Sequence, residues 1–256
     1  MDDVWKIQAF HDIRDRLDPP SNFPCLFSQT AFRRSNLLFS FVHDLSENSM
    51  QQSARELKDY IDRCEGWDGT LSSAEPLLVI FNPNNVRADD CNTYNAIGWN
   101  VLQRWHALDP SPWPSEVSQE PSNAFWTMCF AGTQIFVNMS HPAHIVRKSR
   151  NLGGALIFVV NPRERFDIVA GDNVTDRQVR RRIRDRILDY DGQGHSPDLG
   201  SYQAGELEWP QYGLNETNEP RSDTCLFQMR TKVSPECMNC GSCDNCRREY
   251  ENETNF

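Results

Sequence analysis

The chain alternates between segments with helical spacing of apolar residues and short runs that are almost wholly apolar. Val4 to Leu17 has helical spacing and ends just before two consecutive prolines, Pro19 and Pro20, which cannot continue a helix. The same spacing recurs from Gln52 to Cys64 and from Tyr94 to Leu108. The pattern therefore predicts three helices in the first half of the chain.

Short apolar and β-branched runs lie between and after these helices, and they predict buried strands. The predicted strands are Leu37 to Val42, Leu77 to Phe81, Phe125 to Phe130, Thr133 to Asn138 and Ala155 to Val160. Gly132 separates the third run from the fourth, which is a natural hairpin position. This order predicts a single α+β domain, in which a mixed, mainly antiparallel sheet of about five strands is covered by helices.

A fourth predicted helix, Arg177 to Tyr190, is rich in arginine and has Val179, Ile183 and Ile187 at intervals of four. We interpret its basic run as a solvated helix face, because charge runs on amphipathic helices usually face solvent. A local basic patch is the alternative. The net charge of the chain is −10, which opposes general attraction to nucleic acid or to an anionic membrane.

Export and membrane insertion are not expected from this sequence. No apolar run is long enough to cross a bilayer, and the N-terminus lacks the positive start and apolar stretch of a signal peptide. We therefore expect a cytoplasmic protein whose nine cysteines are reduced, buried or bound to metal. Fourteen Phe and seven Trp supply large core side chains, so the chain should fold.

The C-terminal segment contains four cysteines at a constant spacing of three residues: Cys237, Cys240, Cys243 and Cys246. This spacing brings four thiols into one short loop and predicts a metal site. Zinc is favoured over an iron–sulfur cluster, because the run departs from the ferredoxin pattern C-x2-C-x2-C-x3-C-P in its last spacing and in the missing proline. We expect residues 225–256 to form a cysteine-rich tail.

Three blocks of the second half resemble the YqcI/YcgG family. They are Phe136 to Gly153 (FVNMSHPAHIVRKSRNLG), Asn161 to Asp167 (NPRERFD) and Asp189 to Tyr212 (DYDGQGHSPDLGSYQAGELEWPQY). Phe23-Pro24-Cys25 precedes them near the start of the chain. The resemblance implies a heme protein similar to bacterial enzymes that place oxygen on a guanidino nitrogen of arginine or a related amino acid.

The resemblance makes a histidine the first candidate for the heme ligand. His144 matches the family's P-x-H-x-x-R-x-S-R pattern, whereas His141 lies beside it. A thiolate also binds heme iron, so Cys25 is an alternative ligand. His195 is a further candidate, as a ligand or as part of a proton relay. A purely structural role for both members of the first pair is also open.

Arginines and carboxylates supply the remaining candidate residues. Arg147 and Arg150 would bind the heme propionates, because guanidinium binds carboxylate through paired hydrogen bonds. A salt-bridged surface segment would use the same two residues. Glu206 and Glu208 would face one side of an extended segment and accept a substrate guanidinium, with Trp209 stacked on its plane. Exposed loop carboxylates are the simpler alternative.

Together these features predict a heme-dependent monooxygenase that hydroxylates a guanidino nitrogen of arginine or an arginine-like compound. Residues 1–224 would form the domain that binds heme b, and the tail would bind zinc or an iron–sulfur cluster. The expected partners are a small guanidine substrate and an unidentified electron donor, without nucleic acid or membrane; a homodimer is one option. The alternative functions are a non-catalytic heme or metal sensor and a zinc-binding interaction protein.

Overall fold

The protein is described by a computed structural model over residues 3–70, 72–166, 174–200 and 204–229, with side chains throughout except at 174–176. In this part of the chain, helices cover both faces of one five-stranded sheet. This arrangement confirms the predicted α+β fold class. Among the helices within these ranges, none is both long enough and apolar enough to cross a bilayer.

The secondary-structure elements follow the predicted order. The helices are α1 (Val4–Leu17), α2 (Leu26–Arg33), α3 (Glu47–Cys64), α4 (Cys91–Leu108) and α5 (Val174–Asp191). The strands are β1 (Leu38–Val42), β2 (Leu77–Phe81), β3 (Cys129–Phe130), β4 (Thr133–Ser140) and β5 (Ile157–Pro162). Two short 3-10 helices, Lys148–Arg150 and Trp209–Gln211, lie in connections.

The strands lie in the order β1-β2-β5-β4-β3. β1 and β2 are parallel, and the other three pairings are antiparallel, so the prediction of a mixed, mainly antiparallel sheet is confirmed. β5 is inserted between β2 and β4 although it comes last in the chain. This crossover places β5, the last strand in chain order, against both earlier strands.

The two faces of the sheet bury separate apolar layers, because successive side chains of a strand point to opposite faces. Leu77, Val79 and Phe81 of β2 point towards α3 and α4, where the core includes Trp105 and Tyr212. The alternate residues of the strand point towards α1 and α2. The second layer is smaller, and it leaves room above β4 and β5.

Side-chain caps set helix starts that periodicity did not predict. Ser46 Oγ accepts a hydrogen bond from Ser49 N, so α3 begins at Glu47 instead of the predicted Gln52. Asp90 Oδ1 accepts from Thr93 N at 2.8 Å and starts α4 three residues early. Helix α2 was not predicted at all, because it spans only 8 residues and is capped by a thiol.

The predicted strand from Phe125 to Phe130 is wrong in its first part. Only Cys129 and Phe130 pair with β4. Trp126 N instead donates to Asn123 O at 3.0 Å, which closes a turn. The indole ring is buried from this turn, so the apolar run reflects burial without a strand.

The core extends beyond residue 224. Phe227 is buried, and its ring centroid lies 5.5 Å from that of Trp126. Gln228 N donates to Gln103 Oε1 at 2.9 Å, which ties the segment to α4. Residues 225–229 thus pack with the domain, while the division into domain and tail stays a prediction. The four tail cysteines lie outside the described residues.

Candidate functional site

A cavity of about 700 Å³ lies between the sheet on one side and helices α2 and α5 on the other. This volume is within the range of pockets that bind cofactors and drug-sized ligands. Its floor is formed by the residues of β4 and β5 that point away from α3 and α4: Phe136, Asn138, Ser140, Val159 and Asn161. Apolar side chains such as Phe27 and Ile183 form part of the opposite wall.

The cavity wall is rich in arginine. Among the described residues that line it are Arg34, Arg147, Arg150, Arg163, Arg165, Arg180 and Arg184. The wall has one carboxylate within the same set, that of Glu208. This local excess of positive charge contrasts with the net charge of −10 for the whole chain. The cavity is therefore suited to a ligand that combines an apolar body with anionic groups.

Helix α5 closes one side of this cavity. Arg180 and Arg184 lie on the wall, so the interpretation of the basic run as a solvated face is wrong for these two residues. Arg186 Nη2 donates to Phe23 O at 2.7 Å, and its Nε donates to Pro24 O at 3.1 Å. These contacts tie α5 to the segment that precedes α2.

Cys25 lines the cavity at the N-terminus of α2. Its Sγ accepts a hydrogen bond from Ser28 N at 3.5 Å, and Ser28 Oγ donates to Cys25 O at 2.9 Å. The N-terminal end of a helix favours negative charge on a capping group. Of the four predicted candidates for the heme ligand, His141, His144, His195 and Cys25, only Cys25 is among the described residues that line the cavity.

Arg150 and Arg147 both line the cavity but differ in their partners. Arg150 is almost wholly buried, and its Nη1 has no hydrogen-bond partner among the described residues. Burial lowers the pKa of this guanidinium, and the charge of Arg147 adds to the effect. Arg147 Nε donates to Asn215 O at 2.6 Å, and its Nη2 donates to Asn218 Oδ1 at 2.8 Å. Arg150 thus offers a donor to a ligand, whereas Arg147 holds a loop.

Glu208 is buried at the cavity wall. Its Oε2 accepts from Arg163 Nε at 2.7 Å, and its Oε1 accepts from Tyr212 OH at 2.7 Å and from the hydroxyl of Thr127. Burial raises the pKa of Glu208, and the charge of Arg163 with the two hydroxyl donors opposes this rise. The carboxylate therefore lies at the cavity but is already held from several directions.

Glu206 does not lie beside Glu208. Glu206 is exposed, whereas Glu208 is buried. The segment is not extended, because Gly205 has a φ of 78° and a 3-10 helix begins at Trp209. The prediction that both carboxylates face one side is wrong. Trp209 is buried in the α3/α4 core, and the Arg221 guanidinium lies 4.9 Å from its ring centroid. Trp209 was predicted to stack on the guanidinium of a substrate, but the guanidinium beside its ring is that of Arg221.

The predicted histidines are not among the described residues that line the cavity. His141 and His144 are wholly buried in the turn after β4, with ring centroids 4.1 Å apart. His144 Nδ1 lies 2.8 Å from Glu216 Oε2. Burial lowers the pKa of both imidazoles to about 3. His195 is half-buried, and burial followed by the charge of Arg184 lowers its pKa.

Comparison with known proteins supports the family resemblance that the sequence blocks indicated. The model of the YqcI/YcgG family matches residues 13–228, which include the cavity wall and the histidine turn. The chain belongs to the YqcI/YcgG family. The resemblance drawn from the sequence is thereby confirmed, and the match ends near the last residues that pack on the YqcI/YcgG core of this chain.

Relatives include both a named and two uncharacterised proteins. "Putative N(omega)-hydroxy-L-arginine synthase DcsA" of Streptomyces lavendulae is 49% identical over 226 residues, which cover 88% of this chain and 85% of that protein. "Uncharacterized protein YqcI" of Bacillus subtilis (strain 168) is 28% identical over 88% of this chain and 89% of its own length. "Uncharacterized protein YcgG" of the same strain is 28% identical over 87% and 88%. No solved structure matches this YqcI/YcgG chain.

Several residues at these sites were not singled out from the sequence. Arg163 and Arg165 stand in the NPRERFD block and directly after β5, a position that could have indicated a role at the sheet edge. Cys91 Sγ and Glu216 Oε2 lie 3.9 Å apart, although the two residues are 125 positions apart in this YqcI/YcgG chain. No local pattern relates such a pair.

Proposed function

We propose that the protein hydroxylates a guanidino nitrogen of arginine or an arginine-like compound, using heme bound in the arginine-rich cavity. The observation that carries the proposal is the cavity itself, with apolar side chains, a thiol and several arginines on its wall. The name of the Streptomyces lavendulae relative, at 49% identity, supports the reaction. The cofactor is supported by the cavity and not by that name.

The cavity residues fit heme in three respects. Its volume of about 700 Å³ and the apolar side chains on its wall, such as Phe27 and Ile183, suit a large flat ligand. The buried, unpartnered Nη1 of Arg150 suits a propionate, because a guanidinium pairs with carboxylate through charge-assisted hydrogen bonds. Cys25 offers a sulfur ligand for the iron. When bound, heme would supply the reductive activation of oxygen that side chains cannot provide.

Two residues compete for the iron in this proposal. Cys25 lies on the cavity wall, so a heme in the cavity can meet its sulfur. His144 is not part of the wall, and its Nδ1 lies beside the Glu216 carboxylate. Cys25 is therefore the preferred ligand, although the family pattern in the sequence favours His144.

Glu208 is the preferred acceptor for the substrate guanidinium. Among the described residues that line the cavity, Glu208 has the one carboxylate, and all the other charged side chains are arginines. The carboxylate has about four acceptor sites, and the described donors Arg163, Tyr212 and Thr127 use three of them, so a substrate guanidinium would form a single charge-assisted hydrogen bond. Hydroxylation converts an N–H bond into N–OH. With dioxygen as the oxidant, it consumes two electrons and two protons and releases one molecule of water.

The proposal is tested by an absorption spectrum and a product assay. Protein expressed with a heme supply should show a Soret band, which Cys25→Ala removes or shifts and His144→Ala leaves in place. Incubation with arginine, a reductant and oxygen should give a product heavier by one oxygen atom in mass spectrometry. If the protein never takes up heme, the proposed cofactor is wrong. Heme-loaded protein without a hydroxylated product favours the sensor function instead.

A further inference from the structure

A second cluster of potential metal ligands lies outside the residues that line the cavity. Cys91 Sγ and one ring nitrogen each of His141 and His144 lie within 4.8 Å of one another. Glu216 Oε2 lies 2.8 Å from His144 Nδ1 and 3.9 Å from Cys91 Sγ. The proposed hydroxylation assigns no role to these four side chains.

The buried imidazoles of this cluster lack the partners that such groups normally have. His141 lies between the rings of Tyr94 and His144, at centroid distances of 4.7 and 4.1 Å. Neither of its ring nitrogens has a hydrogen-bond partner among the described residues, whereas the described partners of the His144 ring, Glu216 and Cys91, both lie at Nδ1. A buried polar group without a partner costs about 1–3 kcal/mol. Native proteins normally satisfy such groups with a hydrogen bond, water or an ion.

Three separate segments of the fold hold the cluster in place. Cys91 is the first residue of α4. The turn after β4 is closed by His144 N, which donates to His141 O at 3.2 Å. Glu216 Oε1 accepts from Ile145 N at 2.8 Å and from the next backbone N–H. The donor atoms are thus positioned by backbone contacts that do not depend on a ligand.

We propose that Cys91, His141 and His144 bind a structural zinc ion, with Glu216 as the fourth ligand. One thiolate, two imidazoles and one carboxylate are ligand types that zinc prefers. The Cys91 Sγ to His144 Nδ1 distance is 3.8 Å. Ligands in a tetrahedral zinc site, with bonds of about 2.3 Å to sulfur and about 2.0 Å to nitrogen, are separated by about 3.5 Å. The three ligand atoms lie within 4.8 Å of one another, so they would have to approach by up to about 1 Å on binding the ion.

The location of the site indicates a structural role for the ion. It would join the start of α4, the turn after β4 and the loop at residue 216, which lie far apart in the chain. Both histidines are wholly buried, so substrate could not reach the ion from their side. A metal that links distant segments adds its binding free energy to folding. Removal of zinc should therefore lower the thermal midpoint.

The experiment must separate this site from the thiols of the tail. The full-length chain with Cys237, Cys240, Cys243 and Cys246 all replaced by serine provides the background. In this background we expect about one bound zinc per chain by elemental analysis. Cobalt(II) added to the metal-free protein should give thiolate-to-cobalt charge-transfer absorption. Cys91→Ser or His141→Asn should abolish one equivalent of bound metal, whereas the matched control Cys225→Ser should retain it.

The fourth ligand is tested by Glu216→Gln, which should weaken zinc binding by about 10- to 100-fold, as for other changes next to a metal. Zinc content that is equal in the background protein and in the Cys91→Ser variant would overturn the proposal. The cobalt spectrum of the background protein gives a test without any change at the site. Absence of the charge-transfer absorption there would also overturn it.

Discussion

Arg163 and Glu208 form a buried ion pair at the cavity wall, with Nε and Oε2 2.7 Å apart. The hydroxyl of Tyr212 donates to the other carboxylate oxygen at 2.7 Å. The pair lies where the apolar core above α3 and α4 meets the arginine-rich cavity. A change at either residue should therefore alter both the stability of the core and the charge of the cavity wall.

Loss of the Glu208 charge should reduce both stability and substrate binding. Glu208→Gln removes the anionic member of a buried ion pair, and such a change typically costs about 3–5 kcal/mol. The free energy of unfolding from urea titration measures this loss. Glu206→Gln, at an exposed carboxylate two residues earlier, is the matched control and should change the same free energy by less than about 0.5 kcal/mol. Equal losses of unfolding free energy in the two variants would contradict the buried ion pair between Glu208 and Arg163.

Replacement of Arg150 should have opposite effects on cofactor-free and heme-bound protein. Arg150→Met removes a buried charge whose Nη1 has no partner among the described residues, so cofactor-free protein should be unchanged or up to about 2 kcal/mol more stable. Heme affinity should fall about 10- to 100-fold, because a charge-assisted hydrogen bond is lost. Thermal unfolding and heme titration measure the two effects.

Arg147→Met is the matched control for this experiment. Arg147 holds Asn215 O and Asn218 Oδ1, so the variant should lose about 2–3 kcal/mol of stability even without heme. If Arg150→Met destabilised the cofactor-free protein as strongly as Arg147→Met, Arg150 would be a structural residue and not an anion-binding one.

Two truncations should distinguish the domain from the tail. Truncation after residue 230 should remove the metal bound by the four tail cysteines and leave the free energy of unfolding nearly unchanged. Truncation after residue 224 also removes Phe227 from the core, which should cost about 3–5 kcal/mol. Elemental analysis and urea titration measure both effects. Equal stability of the two truncated proteins would place the domain boundary at residue 224.

The thiol of Cys225 should react slowly at neutral pH. Burial raises its pKa from 9.0 to about 12. At pH 8 its thiolate fraction is then about 1000-fold smaller than in the unfolded chain, and it rises tenfold per pH unit. Iodoacetamide labelling followed by mass spectrometry should show this slow rate in native protein and a fast rate in denaturant. A native rate equal to the denatured rate would show that residues 225–229 do not pack on the core.

Local patterns were sufficient to predict most of the secondary structure. A period of about 3.6 residues located α1 and the ends of α3 and α4 correctly, and an unbroken apolar run located β2. Helix α2 and the turn before Trp126 were missed, because a thiol cap and an apolar run without a strand have no distinctive period. The prediction of a mixed sheet required only the order of these elements.

The blocks of sequence also identified the family and four candidate residues that line the cavity: Cys25, Arg147, Arg150 and Glu208. Their relative positions depend on the insertion of β5 between β2 and β4, which no local pattern encodes. Cys25 and Arg150 are far apart in the chain, yet they line one cavity. His144 matches the family pattern, but its neighbours are Cys91 and Glu216. Contacts between distant segments arise from packing of whole elements, so only the folded chain shows which charges and ligands meet.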